Sequence, residues 1–122
     1  MTSAGLFVYG TLKQNEYNFL RVRHLVDRVE RGCYVLGELY DLGPYPALLT
    51  PGEQMVRGEL LVSGSLDDLL RITDVIEGDE YTRIPIEVQG SDLPLQAWTY
   101  RYARDPSRLR RIDCGEWRPA MS

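Results

Sequence analysis

The sequence has 122 residues, 43% of them hydrophobic and 26% charged, which predicts one packed domain, residues 1–122, with little length left for a second. A net charge of -4 argues against nucleic acid as the main partner. No apolar run approaches the roughly 20 residues that cross a bilayer, and no export signal opens the chain. We therefore expect a cytoplasmic protein without a membrane partner.

The first third of the chain predicts two strands separated by a helix or a helical turn. Residues 6–9 form a short apolar run that ends at Gly10, as a buried strand does when it enters a tight turn. Across residues 16–29 the apolar side chains recur at spacings near three, four and seven, which favours a helix or a helical turn. Residues 34–42 alternate and are rich in β-forming side chains, so they predict a strand.

The middle of the chain predicts a stiff loop followed by two short strands. Residues 43–46 contain one glycine and two prolines, which are typical of a rigid loop. Residues 47–50 and 55–62 then read as separate strands, with a turn at Pro51-Gly52 between them.

The clearest helix of the sequence begins at Ser65. Ser65 and Asp68 resemble a capping box, and Gly78 is placed to end the helix. One helical face collects the apolar and small side chains Leu66, Leu69, Leu70, Thr73 and Ile76.

The last third of the chain predicts a hairpin and an irregular tail. Residues 81–88 and 95–103 read as two strands joined by a polar turn around residues 90–92. The tail, residues 105–122, is expected to be irregular with one helical turn. The total is five to six strands and two helices that do not alternate regularly, which makes a doubly wound parallel sheet a poor fit. The fold class predicted is therefore α+β: a compact mixed β-barrel with flanking helices.

Common catalytic and metal-binding motifs are absent from the sequence. His24 is the single histidine, and Cys33 and Cys114 lie far apart, so we expect free thiols and no metal site. No serine elbow and no glycine-rich nucleotide motif occurs, and we expect no cofactor. The side chains left for chemistry are carboxylates and tyrosines, together with backbone amides.

The first candidate site is the segment Tyr9-Gly10-Thr11-Leu12. A strand that ends at a glycine frees consecutive backbone amides, which can converge on an anionic oxygen. Gly10 permits close approach of a ligand, and Thr11 and Tyr9 add hydroxyl groups. The alternative is an ordinary structural turn after a strand.

The second candidate is the acidic end of the predicted helix. Asp74, Glu77, Asp79 and Glu80 crowd the negative pole of the helix dipole, and both the dipole and the neighbouring charges favour a protonated carboxyl. Glu77 follows an apolar residue and precedes the glycine stop, so it is the best candidate for a proton acceptor near neutral pH. The alternative is a solvated acidic helix end.

Five short motifs occur in an order and at spacings that resemble the gamma-glutamylcyclotransferase-like family, over about residues 6–117. In chain order they are Val-Tyr-Gly-Thr-Leu-Lys at 8–13, Gly-Glu-Leu-Tyr-Asp-Leu-Gly at 37–43 leading into Tyr-Pro-Ala-Leu at 45–48, Val-Arg-Gly-Glu-Leu at 56–60, Asp-Val-Ile-Glu-Gly at 74–78 with Tyr-Thr-Arg at 81–83, and Ala-Trp-Thr-Tyr at 97–100. The resemblance implies a compact mixed β-barrel with flanking helices.

The resemblance also implies an activity, an intramolecular acyl transfer that converts a γ-glutamyl group to 5-oxoproline and releases an amine. By the same resemblance, the backbone amides of Tyr9, Gly10, Thr11 and Leu12 hold the substrate's α-carboxylate, and Glu77 is the catalytic acid and base. Neither a metal ion nor a covalent enzyme intermediate is required. The amine half stays open between glutathione-type dipeptides, γ-glutamylamines and γ-glutamyl-protected biosynthetic intermediates.

Two further tyrosines and two rival functions complete the predictions. Tyr45 and Tyr81 are expected to line the substrate pocket or to donate hydrogen bonds in it. One rival is a non-catalytic carboxylate-binding module of the same fold. The other is a protein-interaction domain that uses Tyr40, Tyr45 and Trp98 as a surface patch.

Overall fold

The structure, a computed structural model, describes residues 5–90 and 94–118. The strands are β1 (Gly5–Val8), β2 (Arg28–Asp41), β3 (Pro46–Val62), β4 (Tyr81–Val88), β5 (Leu95–Tyr102) and β6 (Arg110–Arg111). The helix α1 spans Leu66–Glu77, and short 3-10 helices lie at Tyr17–Arg21, Arg23–Leu25 and Gly78–Glu80. Among these described residues, no helix is both long and apolar enough to cross a membrane.

The six strands form one sheet in the order β4-β5-β1-β3-β2-β6. β1 and β5 are parallel, and the other neighbouring pairs are antiparallel. Tyr34 of β2 and Gln89, just after β4, exchange two backbone hydrogen bonds of 2.8 and 2.9 Å. Because this bridge joins strands that lie far apart in the sheet order, the sheet curls into a half-barrel. The predicted α+β fold with a curved mixed sheet is confirmed.

The short strand β1 is buried on both faces, because core side chains cover each side of the sheet. Phe7 and Tyr9 belong to one core cluster, on the side of the sheet that also carries Val35 and Leu39 of β2. Leu6 and Val8 belong to a second cluster, which packs against α1 and the first 3-10 helices. A continuous apolar run suits a strand that faces a core on both sides. Its end, at Tyr9 and Gly10, is therefore held in place from two directions.

The helix or helical turn predicted over residues 16–29 is present as short helical turns and not as a continuous α-helix. The chain forms two 3-10 helices, Tyr17–Arg21 and Arg23–Leu25, and then enters β2 at Arg28. The amide of Val22 donates to the Phe19 carbonyl, and the amide of Leu25 donates to the Val22 carbonyl. Spacing of three residues fits the 3-10 period, and it brings these apolar side chains onto the core without a full α-helix.

The predicted break at Pro51-Gly52 does not divide β3, which runs from Pro46 to Val62. The register with β2 moves from the pair Gly37–Gln54 to the pair Glu38–Leu49, which leaves residues 50–53 without partners on β2. Proline has no amide to donate, so this irregular stretch accommodates it inside a long strand. The turn residues thus mark a bulge in β3, not its end.

α1 confirms the predicted apolar face and the predicted stop. Leu69, Leu70 and Thr73 are buried, with Leu66 and Ile76 packed at the edge of the same cluster. Gly78 has a φ of 70° at the end of the helix, a conformation that favours glycine. The capping box is wrong, because the Ser65 side chain makes no capping hydrogen bond.

The last third of the chain agrees with the predicted strands and adds one. β4 and β5 pair along Tyr81 to Val88, and the turn predicted between them lies partly outside the described residues. In the described part of the tail, β6 pairs with the end of β2, and the Leu109 amide closes a turn on the Pro106 carbonyl. The rest of the described tail is irregular, as predicted, and the hydrogen-bonded turn at residues 106–109 is not part of a helix.

Candidate active site

A narrow cavity of about 20 Å³ lies where the end of β1, the loop before β3 and the end of α1 meet. An outer cleft of about 140 Å³ adjoins it and shares Thr11, Tyr45, Glu77 and Tyr81 with it. The inner cavity has room for about one water-sized group, and the cleft accommodates the rest of a small molecule. All the site residues predicted from the sequence line the inner cavity: Tyr9, Gly10, Thr11, Leu12, Tyr45, Glu77 and Tyr81.

The turn after β1, residues 9–12, lines this cavity. The amide of Lys13 donates to the Gly10 carbonyl at 3.1 Å and closes the turn. Within the described residues, the amides of Gly10, Thr11 and Leu12 donate to no protein acceptor. Buried amides without a partner are costly, so this turn is suited to hold an anionic oxygen.

Two contacts fix the shape of the turn. Asn18 donates from its side chain to Thr11 Oγ1 at 2.8 Å and from its amide to the Thr11 carbonyl at 3.0 Å. On the other side, a Cβ placed on Gly10 would lie 2.7 Å from Pro46 Cδ. Glycine is therefore required here by the close approach of the proline ring.

The carboxyl group of Glu77 lies at the cavity from the last residue of α1. Burial raises its pKa from the ordinary 4.5 to about 7. The sequence predicts a raised pKa for Glu77 from the helix dipole and the neighbouring acids, but in the structure the cause is loss of solvent. A carboxyl group that titrates near neutral pH can both accept and return a proton.

The acids near Glu77 are occupied elsewhere. Asp74 accepts hydrogen bonds from Arg83 Nε at 2.9 Å and from the Tyr100 hydroxyl at 2.6 Å. Partial burial raises the pKa of Asp74, but these two donors outweigh it and the net pKa is lowered. Glu80 accepts a hydrogen bond from the Tyr45 hydroxyl at 2.9 Å.

The phenols of the inner wall are neutral donors. Tyr9 donates to the Tyr100 carbonyl and Tyr81 donates to the Pro46 carbonyl, each at 2.6 Å. Burial raises the pKa of both phenols above their usual range, and the nearby Glu77 adds to the effect. The two tyrosines therefore stay protonated and tie the walls of the cavity together.

Sequence reasoning missed several residues that shape the site. Tyr100 lines the inner cavity, Glu80 and Asn18 line the outer cleft, and Pro46 supplies both a carbonyl and a ring contact. The alternation along β5 was a usable signal for Tyr100, because alternate residues of a strand share a face. Nothing local in the sequence indicates that Asn18 contacts Thr11.

The patch proposed for the rival interaction domain is not an exposed surface. Tyr45 lines the cavity, and Trp98 is half-buried beneath the Arg83 guanidinium, 4.7 Å from the ring centre. Tyr40 lies on β2, separated from Trp98 on β5 by β1 and β3.

Both cysteines are free thiols, as predicted. Across the described residues, no three His, Cys, Asp or Glu side chains gather as metal ligands.

Comparison with known proteins agrees with the resemblance. Residues 6–119 match the family described as "Gamma-glutamyl cyclotransferase, AIG2-like". The Escherichia coli K12 gamma-glutamylcyclotransferase family protein YtfP is 31% identical over 92% of this chain and 94% of its own length. A Niallia circulans gamma-L-glutamyl-butirosin B gamma-glutamyl cyclotransferase is 36% identical over 82% of this chain and 67% of its own length.

The fold agrees as well. The crystal structure of an AIG2-like protein from Mus musculus superposes with a TM-score of 0.72 and 25% identity, over 97% of this chain and 90% of that one. The sequence match, the shared fold and the curled sheet together show that this chain belongs to the AIG2-like gamma-glutamyl cyclotransferase family.

Proposed function

We propose that the protein cyclises a γ-glutamyl group to 5-oxoproline and releases the attached amine, with Glu77 as the general acid and base. The observation that carries this proposal is one carboxyl group with a pKa of about 7 in the same cavity as three backbone amides without protein acceptors. An anion-binding turn and one proton carrier are the two features that the reaction needs from the protein.

The substrate's α-carboxylate is bound by the amides of Gly10, Thr11 and Leu12. These residues line the inner cavity, and neither of the two cavities is lined by a Lys, Arg or His side chain of the described residues. In place of a cation, the backbone amides are the donors that we propose for the substrate's carboxylate. Held this way, the γ-glutamyl chain folds back so that its own α-nitrogen approaches its γ-carbonyl carbon.

In the reaction one carbon–nitrogen bond forms and another breaks. Glu77 accepts a proton from the α-ammonium group, and the freed nitrogen attacks the γ-carbonyl carbon. The bond to the leaving nitrogen then breaks as Glu77 returns this proton to it. The second proton, which the ring nitrogen loses as the lactam forms, passes by way of Glu77 to the released amine, which departs as an ammonium ion. Well-aligned intramolecular reactions gain roughly 7–11 kcal/mol from orientation, so the site needs few catalytic groups.

The amine half of the substrate occupies the outer cleft. Its charged lining residues are the carboxylic acids Glu77 and Glu80, and Tyr17, Tyr45 and Tyr81 add aromatic surface. A leaving group that carries a carboxylate, as in a glutathione-type dipeptide, meets repulsion there and no cation. We infer that the substrate is a γ-glutamylamine. The name of the Niallia circulans relative, gamma-L-glutamyl-butirosin B gamma-glutamyl cyclotransferase, also contains a γ-glutamyl group.

The test is release of 5-oxoproline from a panel of γ-glutamyl compounds, followed by mass spectrometry. We expect turnover of γ-glutamyl alkylamines and γ-glutamyl diamines, and weaker turnover of γ-glutamyl dipeptides with a free carboxylate. Glu77→Gln should lower kcat about 100-fold or more while substrate still binds. If wild type binds these compounds but releases no 5-oxoproline from any, the protein is the carboxylate-binding module instead.

A further inference from the structure

A second cavity, separate from the one beside Glu77, lies where β2 bulges against β3. Its volume is about 280 Å³, and it shares no lining residue with the inner cavity or the outer cleft. The register of β2 on β3 shifts between Glu30 and Cys33, which opens the space. Its lining is mostly charged or glycine: Lys13, Arg31, Gly32, Cys33, Arg57, Gly58, Glu59 and Glu116.

The two acids of this cavity already have partners. Glu59 accepts a hydrogen bond from the Gln14 amide at 2.7 Å and lies 3.8 Å from Arg31 Nε. Glu116 lies 3.5 Å from Arg118 Nη2. Each acid therefore has a cation beside it, so these two pairs add no net negative charge to the cavity.

Two of its cations lack such partners. Lys13 donates to the uncharged carbonyl of Trp117 at 2.9 Å. Among residues 5–90 and 94–118, no carboxylate lies within ion-pair distance of Lys13 or Arg57. A protein with a net charge of -4 therefore carries a local positive site at this cavity.

We propose that this second cavity binds the phosphate group of a small phosphate monoester. A phosphate carries about two negative charges near neutral pH, which matches Lys13 and Arg57 in number. Guanidinium and ammonium groups together are the usual protein donors to phosphate oxygens. The cavity volume is also several times the roughly 30 Å³ share of one liquid water, so it has space for a small organic group beside the phosphate.

The experiment is a titration of the ¹⁵N-labelled protein with glycerol 3-phosphate, inorganic phosphate and glycerol, followed by NMR. We expect saturable shifts at the amides of Gly32 and Gly58, and none at Gly78, which does not line this cavity. Glycerol 3-phosphate should bind more tightly than inorganic phosphate, and glycerol should not bind. Equal binding of inorganic phosphate would overturn the assignment to a monoester, and shifts that do not saturate would overturn the site.

Variants that each remove one positive charge test whether binding is specific to this cavity or is a general attraction to positive charge. Arg57→Gln and Lys13→Gln should each weaken glycerol 3-phosphate binding about tenfold or more. Arg104→Gln removes the same charge from an exposed loop and should leave the affinity unchanged. Equal weakening by all three variants would overturn the proposal. Glu77→Gln should retain full affinity, because the site does not depend on the proposed cyclotransferase activity.

Discussion

The Tyr100 hydroxyl donates a hydrogen bond of 2.6 Å to Asp74 Oδ1 and thereby joins β5 to α1 one turn before Glu77. The same hydroxyl lies 2.7 Å from Thr73 Oγ1, and the Tyr100 carbonyl accepts from Tyr9. One tyrosine thus connects the helix that carries the proposed acid to the strand that leads into the amide turn. The role of Tyr100 is to hold α1 and the end of β1 in position relative to each other.

Removal of this hydroxyl should loosen α1. Tyr100→Phe is expected to lower the free energy of unfolding by about 1–2 kcal/mol, since a buried hydrogen-bonded network loses its central member. Tyr102→Phe is the matched control, because Tyr102 is buried on the same strand and its hydroxyl bonds to no described residue. Urea unfolding measures both variants. An equal effect of the two would show that the hydroxyl of Tyr100 has no special role.

The rate of 5-oxoproline release should follow the ionisation of Glu77. With a pKa of about 7, the fraction of carboxylate falls below neutral pH, so kcat/KM should drop about tenfold for each pH unit below roughly 7. Because burial causes the shift, Asp79→Asn should leave this limb of the pH profile in place. If the apparent pKa of this limb fell by a full unit in Asp79→Asn, the neighbouring charge of Asp79 would be the cause of the raised pKa of Glu77.

Glu77 should also lower stability at high pH. Its pKa of about 7 in the folded protein lies above the ordinary 4.5, so the folded state binds the extra proton between these values. Stability then falls as pH rises from about 4.5 through about 7, by up to about 3 kcal/mol. Glu77→Gln removes this loss and should be more stable than wild type at pH 8, but not at pH 4.

Chemical unfolding at both pH values measures the Glu77 effect. Glu53→Gln makes the same charge change at an exposed position and serves as the control. If Glu77→Gln gains no stability between pH 4 and pH 8 relative to wild type, the carboxyl group is not buried as described.

A methyl group at Gly10 should disturb the amide turn directly. In Gly10→Ala the new Cβ meets Pro46 Cδ at 2.7 Å and Cγ at 2.8 Å, and a proline ring cannot swing aside. We expect a loss of about 1–3 kcal/mol in thermal or urea unfolding, with a larger proportional loss of activity. Gly64→Ala places its Cβ 3.2 Å from an Asp27 carboxylate oxygen, a longer distance to the end of a side chain, so it should cost less.

Local sequence patterns predicted the elements whose signal is contained in a few neighbouring residues. The apolar run at Leu6 to Val8, the face of α1 and the stop at Gly78 depend on periodicity and on backbone freedom. Five ordered motifs then indicated the family, and with it Glu77 and the turn at Gly10. For residues 16–29 the sequence leaves a helix and a helical turn both open, because spacings of three and four residues are difficult to distinguish over so short a stretch. The structure has two 3-10 helices there.

Only the tertiary structure decided how these pieces act on one another. Curling of the sheet brings the end of β1, the Pro46 loop and the end of α1 around one cavity, across separations of 30 to 70 residues. The pKa of Glu77 depends on the solvent that this arrangement removes, and no count of neighbouring charges in the chain contains that information. The second cavity likewise exists because a bulge in β2 faces Lys13 and Arg57, residues that no local pattern connects.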